Sequence, residues 1–214
     1  MKWGLFGGSF DPIHLGHLRC AQEVGELFSL DRIVLIPACR QPLKTDRDVT
    51  SFSHRYRMAE LAIEENELFS LSDIENRREG PSYSIDTVMH FRTHYPDVSE
   101  LYFIVGQDAF LEIGIWKEWK RLLSLCNFVV MTRPGYTVTA LEDALPTDVA
   151  ARFRYDVDDR VFREPGGSGI FFRTLTFLDI SSTDIRKRMS RGLSIRYLVP
   201  EAVLAYITRQ SLYA

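Results

Sequence analysis

Two histidines three residues apart, His14 and His17, flank Gly16 and are the first residues whose types and spacing could do chemistry. They follow a turn-forming stretch, Gly7-Gly8-Ser9-Phe10-Asp11-Pro12, and precede Leu18, Ala21, Val24 and Phe28 at helical spacing. That pattern predicts a helix starting at or just before His14, with both imidazoles on one face of its first turn. Free backbone N–H groups and the positive end of the helix dipole then point the same way, which suits a phosphate. Gly16 leaves no side chain between a ligand and the backbone. Two capping histidines, or a zinc pair, are the alternatives. Zinc needs a third His, Cys or carboxylate at recognisable spacing, and the sequence offers none.

A second group lies near the other end, Ser181-Ser182-Thr183-Asp184-Ile185-Arg186. Hydroxyls and N–H groups at a helix start, with an arginine one turn in, make another phosphate clamp. Between the two groups, three apolar runs end in polar residues. Arg32–Pro37 leads into a loop with Arg40, Lys44 and Arg47; Leu101–Val105 delivers Gly106-Gln107-Asp108; Cys126–Met131 ends near Arg133. Such runs read as parallel strands buried on both faces, and their C-terminal ends are where open α/β sheets bind ligands.

The elements that must position these residues follow from the same patterning. Strands are expected at Trp3–Phe6, Arg32–Pro37, Leu68–Ile74, Leu101–Val105, Cys126–Met131 and Thr174–Ile180. Helices are expected from His14, over Ser53–Glu65, from the Gly80–Thr87 turn through Tyr95, over Leu141–Phe153, and over Tyr197–Ile207 begun by Pro200. Strands alternating with helices define an α/β fold, a Rossmann-like doubly wound parallel sheet in which the first and last strands' loops meet across one crevice. Neither GxGxxG nor GxxxxGK[ST] is present, which sets aside ordinary dinucleotide-binding dehydrogenases and P-loop enzymes. Residues 1–214 are expected to form a single domain with a variable insertion at about 137–169, the stretch whose residues say least.

Composition bounds the rest. With a net charge of −3, the chain gives no whole-molecule case for nucleic-acid binding, so any anion site must be local. Cys20, Cys39 and Cys126 are odd in number and far apart, as in a reduced cytoplasmic protein rather than a disulfide framework. No signal-like apolar region opens the sequence and no run is long enough to span a bilayer, so a cytoplasmic protein without a membrane partner is expected. His90 and His94, at i,i+4 with no third ligand, read as a surface helix face.

Gly4-x-Phe6 through Pro12-x-His14-x-Gly16-His17 resembles the nucleotidyltransferase superfamily signature ending in HxGH, and Ser181-x-Thr183-x-x-Arg186 resembles its second signature. Ser82-Tyr83-Ser84-Ile85-Asp86-Thr87, where the family reads Ser-Tyr-Thr-x-Asp-Thr, narrows the resemblance to the nicotinate mononucleotide adenylyltransferases. So does Gly106-x-Asp108 followed by Trp116. Phosphopantetheine adenylyltransferases share the phosphate motifs but lack the Tyr83-Ser84 and Asp108…Trp116 elements. In the family's loop Pro-Pro-His-Lys, this chain has Leu43 at the histidine, so only Lys44 carries over.

The resemblance implies transfer of the adenylyl group of ATP to nicotinate mononucleotide, giving nicotinate adenine dinucleotide and pyrophosphate in NAD biosynthesis. It assigns catalysis to His14, His17 and Arg186. ATP falls to these three with Gly7, Gly8, Ser9, Phe10, Gly16, Gly106, Asp108, Ser181, Ser182 and Thr183. Nicotinate mononucleotide falls to Lys44, Tyr83, Ser84, Asp86, Thr87, Trp116 and Arg133, with Trp119 the rival aromatic. Asp108 can accept from ribose hydroxyls and an indole can stack on a pyridine ring. No protein metal site is expected, because Mg²⁺ enters bound to ATP. ATP and nicotinate mononucleotide are the expected partners, and a homo-oligomer is left open.

Overall fold

Near-continuous burial builds the sheet, with alternate residues facing its two sides. In the computed structural model, which describes residues 1–40, 49–133, 141–165 and 167–214, β1 (Lys2–Gly8), β2 (Arg32–Pro37), β4 (Glu100–Gly106) and β5 (Asn127–Thr132) are buried on both faces. Trp3, Leu5, Val34, Ile36, Phe103, Val105, Phe128 and Val130 pack on one side. Phe6, Ile33, Leu35, Tyr102, Ile104 and Val129 pack on the other. The first face is covered by α4 (Ser84–His94), through Ile85, Val88 and Phe91, and by α6 (Trp119–Leu125), through Leu122 and Leu123. The second takes α1 (Leu15–Phe28), α2 (Phe52–Ile63), α8 (Ser182–Met189) and α9 (Glu201–Arg209), through Ala21, Val24, Met58, Ile185, Val203 and Ile207. The result is a three-layer α/β/α sandwich.

With β3 (Phe69–Leu71), β6 (Arg154–Asp156), β7 (Val161–Arg163) and β8 (Gly169–Thr174), the sheet order is β3-β2-β1-β4-β5-β8-β7-β6. All pairs from β3 to β8 are parallel, while β8–β7 and β7–β6 are antiparallel. The chain steps outward from β1 to β3 and then returns to place β4 on the other side of β1. That reversal makes the crevice beyond β1 and β4 the topological switch point, where ligands bind in open sheets. The expected Rossmann-like doubly wound sheet is therefore present, with a short antiparallel addition at one edge.

Three elements differ from expectation. The last strand covers Gly169–Thr174 rather than Thr174–Ile180, since its partner β5 ends at Thr132, paired with Thr174, and residues beyond have no ladder to join. Leu141–Phe153 is a 3₁₀ turn at Leu141–Asp143 and a four-residue helix, α7 (Thr147–Ala150), separated at Pro146. Leu68–Ile74 contracts to β3, with α3 (Ile74–Arg77) starting at its end. Lys44, Leu43, Arg47 and Gly166 lie outside the described residues. No helix among the described residues is long and apolar enough to cross a membrane.

Candidate active site

The two histidines cap their own helix. Beyond β1 the chain passes through Phe10, whose φ of 47° is left-handed. Packing holds it there: Phe10 is fully buried and its ring meets Phe6 and His17 edge-on, at 5.6 and 5.1 Å. His14 is the N-cap of α1. The His17 N–H donates to His14 Nδ1 (3.3 Å) and the His14 N–H donates to His17 Nδ1 (3.2 Å), a reciprocal box between stacked rings 3.6 Å apart. With both Nδ1 atoms accepting, each neutral ring carries its proton on Nε2. Burial lowers the His14 pKa to about 4; burial and the neighbouring His14 hold His17 well below its ordinary value. The site thus gains two neutral Nε2–H donors.

This changes the phosphate argument drawn from the helix start. The N–H groups of His14 and His17 are consumed in the box, and that of Leu15 donates to the Leu198 carbonyl at 3.0 Å. The imidazoles, rather than these backbone groups, are what the first turn can present to a ligand. Gly16 also has a different reason from the one expected. A Cβ there would sit 3.1 Å from His14 Nδ1 and 3.5 Å from the Leu178 carbonyl oxygen, so glycine permits a tight approach to the imidazole.

The link after β8 closes against the same loop. Ser181 caps α8, its hydroxyl accepting from the Asp184 N–H (3.0 Å). The Ser182 hydroxyl donates to the Pro12 carbonyl (2.9 Å), and Arg186 Nη1 donates to the Asp11 carbonyl (2.7 Å). Thr183 is exposed on the first turn of α8. Beneath lies a polar cluster that sequence reasoning missed. The Asp11 carboxylate, only 3% exposed, accepts from the Tyr213 hydroxyl (2.6 Å) and the Thr50 N–H (3.3 Å). Arg55, 2% exposed, donates to the Ser9 and Thr50 carbonyls (2.7 and 2.8 Å). Asp11 stood only in the turn-forming stretch and Arg55 was one of many residues in the expected Ser53–Glu65 helix; only the Asp-Pro inside the histidine motif hinted at more.

A cavity of about 410 Å³ opens at the switch point. Gly7 and Gly8 from β1, Tyr83, Ser84 and Thr87 at the start of α4, and Trp116 line it together. Trp116 follows the 3₁₀ turn Ile113–Ile115 and meets Phe103 edge-on at 6.2 Å. Trp119 packs on the core instead. Asp86 does not line the cavity; it pairs with Lys117 (3.0 Å), whose ammonium lies 4.8 Å from the centre of the Tyr83 ring. Lys117 and Glu75 also line the cavity and were not legible in the sequence.

Glu75 is buried and accepts from the Thr87 hydroxyl (2.8 Å), which in turn accepts from Arg78 (2.5 Å). The Ser82 hydroxyl accepts from the N–H groups of Cys39 and Arg40, tying the turn before α4 to the end of β2. Burial raises the Glu75 pKa against the hydrogen bonds from Thr87 and Ser82 that lower it. Asp108 stands on the first turn of α5 (Gln107–Leu111), follows Gly106, and faces Arg133 at 3.8 Å across the ends of β4 and β5. Both side chains are exposed, so the pair contributes little to stability and is accessible to a ligand.

His90 and His94 stack on the surface of α4, 4.1 Å apart. Among the described residues, no three His, Cys, Asp or Glu side chains converge as a cation site.

A parallel sheet whose first strand runs into a His-capped helix is the architecture of a nucleotidyl-transferring class, and residues 5–188 match the cytidylyltransferase-like family. Relatives described as probable nicotinate-nucleotide adenylyltransferases are similar over the whole chain. That of Geotalea uraniireducens is 46% identical over 100% of this chain and 98% of its own. That of Pelobacter propionicus is 45% identical over 100% and 99%. The chain belongs to the cytidylyltransferase-like family and, within it, to the nicotinate-nucleotide adenylyltransferases. The fold is also that of the Plasmodium falciparum nicotinic acid mononucleotide adenylyltransferase complexed with NaAD. The two are 20% identical with a TM-score of 0.74, over 99% of this chain and 97% of that one.

Proposed function

We propose that this chain transfers the adenylyl group of ATP to nicotinate mononucleotide, releasing pyrophosphate and forming nicotinate adenine dinucleotide for NAD biosynthesis. The observation that carries this reading is the cavity shared by Gly7, Gly8, Tyr83, Ser84 and Trp116, at the end of the strand that leads into the histidine box. A phosphate oxygen of the mononucleotide attacks the α-phosphorus of ATP; that P–O bond forms as the bond to the bridging oxygen of pyrophosphate breaks. A phosphate monoester has its second pKa at about 6, so the nucleophile is already ionised and needs no base.

The histidines are not suited to be that base, because the one lone pair on each ring is engaged in the cap. Their Nε2–H donors instead stabilise charge on the reacting phosphates. Arg186 takes the pyrophosphate end. Gly7, Gly8, Ser9, Phe10, Gly16, Gly106, Asp108 and Ser181–Thr183 form the rest of the ATP site. Trp116 stacks on the pyridine, the turn at Tyr83-Ser84 with Thr87 holds its carboxylate side, Asp86 fixes Lys117 beside the Tyr83 ring, and Lys44 and Arg133 meet the mononucleotide phosphate. Mg²⁺ arrives with the triphosphate as part of the substrate. Residues 1–214 act as one catalytic unit, and the free thiols Cys20, Cys39 and Cys126 suit the cytoplasm.

Pyrophosphate release with MgATP and nicotinate mononucleotide, nicotinamide mononucleotide or phosphopantetheine tests the reading. A carboxylate offers two acceptors and a charge to the turn's donors, whereas an amide turns an NH₂ toward them. A buried donor left unpaired costs about 1–3 kcal/mol, so kcat/KM should favour the acid by roughly fivefold to 150-fold. Equal values for acid and amide would overturn the carboxylate assignment; release with phosphopantetheine alone would overturn the substrate class.

A further inference from the structure

Asp11 is a buried carboxylate on which remote parts of the chain converge, and no step of the proposed reaction uses it. Its Oδ1 accepts from the Tyr213 hydroxyl, 202 residues away, at 2.6 Å. Its Oδ2 accepts from the Thr50 N–H and lies 3.9 Å from Arg186 Nη1, beyond hydrogen-bond range. Arg186 donates to the Asp11 backbone carbonyl instead, and its side chain remains 32% exposed. Two guanidiniums act on Asp11: Arg186 in this long ion pair, and the buried Arg55, which the Ser9 and Thr50 carbonyls hold in place and whose charge Asp11 favours. Tyr213 is itself fixed, since with Leu212 it packs against the apolar cluster beneath α1, α2, α8 and α9.

We propose that Tyr213 is a positioning residue for the reaction: its hydroxyl holds the Asp11 carboxylate off Arg186, leaving the guanidinium charge and fork for the pyrophosphate end of the nucleotide. The inference rests on the reading of Arg186 given above. Without the phenol, Oδ1 is a buried acceptor that has lost its partner. The Arg186 guanidinium already stands 3.9 Å from Oδ2, and a carboxylate freed to turn onto it would tighten that long ion pair into a two-bonded one and cancel more of the charge that the triphosphate needs.

Tyr213→Phe in the full chain tests this, read as KM for MgATP, KM for nicotinate mononucleotide, and the inhibition constant of inorganic pyrophosphate. The constants for MgATP and pyrophosphate should rise together by roughly tenfold, the lower end of what a hydrogen bond to a charged group supports, while that for the mononucleotide stays within twofold. Tyr206→Phe is the control. It removes a hydroxyl contact of 2.8 Å between α9 and His54, equally joining the C-terminal part to α2 but remote from Asp11, and should change none of the three. Asp11→Asn combined with Tyr213→Phe should bring the MgATP constant back toward wild type, because an amide cannot neutralise Arg186. A uniform rise in all constants, or a wild-type profile, in Tyr213→Phe overturns the positioning role. Arg186→Lys separates the layers. If it too leaves the ATP profile unchanged, the underlying reading of Arg186 fails; if it impairs ATP use while Tyr213→Phe does not, only the present inference does.

Discussion

At the scale of single residues, the site is set by what each histidine can no longer do. Nδ1 of both rings is committed to a backbone N–H, which fixes the tautomer and leaves Nε2–H as the only polar group each ring can offer a ligand. Removing one preorganised donor of this kind costs about 10²–10³ in turnover. His17→Ala should therefore lose most of its kcat while circular dichroism reports an intact fold. A variant retaining more than half of wild-type turnover would return His17 to a purely capping role. Exposed pairs such as Asp108–Arg133 carry no comparable structural weight and matter only through what they meet in the crevice.

At the scale of elements, α8 has one task, to hold Arg186 over the loop after β1. It is eight residues long, buries only Ile185, and depends on its ends. Ser181 supplies the cap at 3.0 Å and Ser182 ties the first turn to Pro12. Loss of a serine cap costs about 0.5–2 kcal/mol. Ser181→Ala should lower the urea midpoint by a matching amount and raise KM for MgATP. Stability falling without any change in ATP use would show that the cap does not transmit to Arg186. The 3₁₀ turn before Trp116 plays the parallel part at the cavity, placing Trp116 rather than Trp119 on its wall.

At the scale of the whole molecule, burying two neutral imidazoles links stability to pH. The unfolded chain binds a proton at each histidine near pH 6.5, whereas folded His14 does so only near pH 4. Between these values the unfolded state holds more protons, so stability is complete above about pH 6.5 and declines as pH falls toward 4. The His14 share is on the order of 3 kcal/mol at full extent. Urea midpoints at pH 7.5 and 5.0 check this. His14→Asn keeps a side-chain acceptor at the N-cap but removes the titration, and should flatten the decline over pH 6.5–5. An unchanged slope would mean that other groups carry it.

Local pattern alone determined that a helix begins next to His14, that three apolar runs are doubly buried strands, and that helices start at the two motifs near the ends of the chain. Those features depend on residues within a few positions of one another, where period and turn chemistry act directly. The strand before α8 was misplaced by several residues because its limits are set by β5, and a strand's partner is not written in its own sequence. The resemblance named Tyr83 and Trp116 together, but the Glu75–Thr87–Arg78 chain, Lys117 and the Asp11–Arg55–Tyr213 cluster emerged only with the tertiary structure. The same holds for the histidines' charge state. Desolvation and hydrogen bonding between residues as far apart as 11 and 213 are properties of the closed fold, and no window of sequence contains both partners.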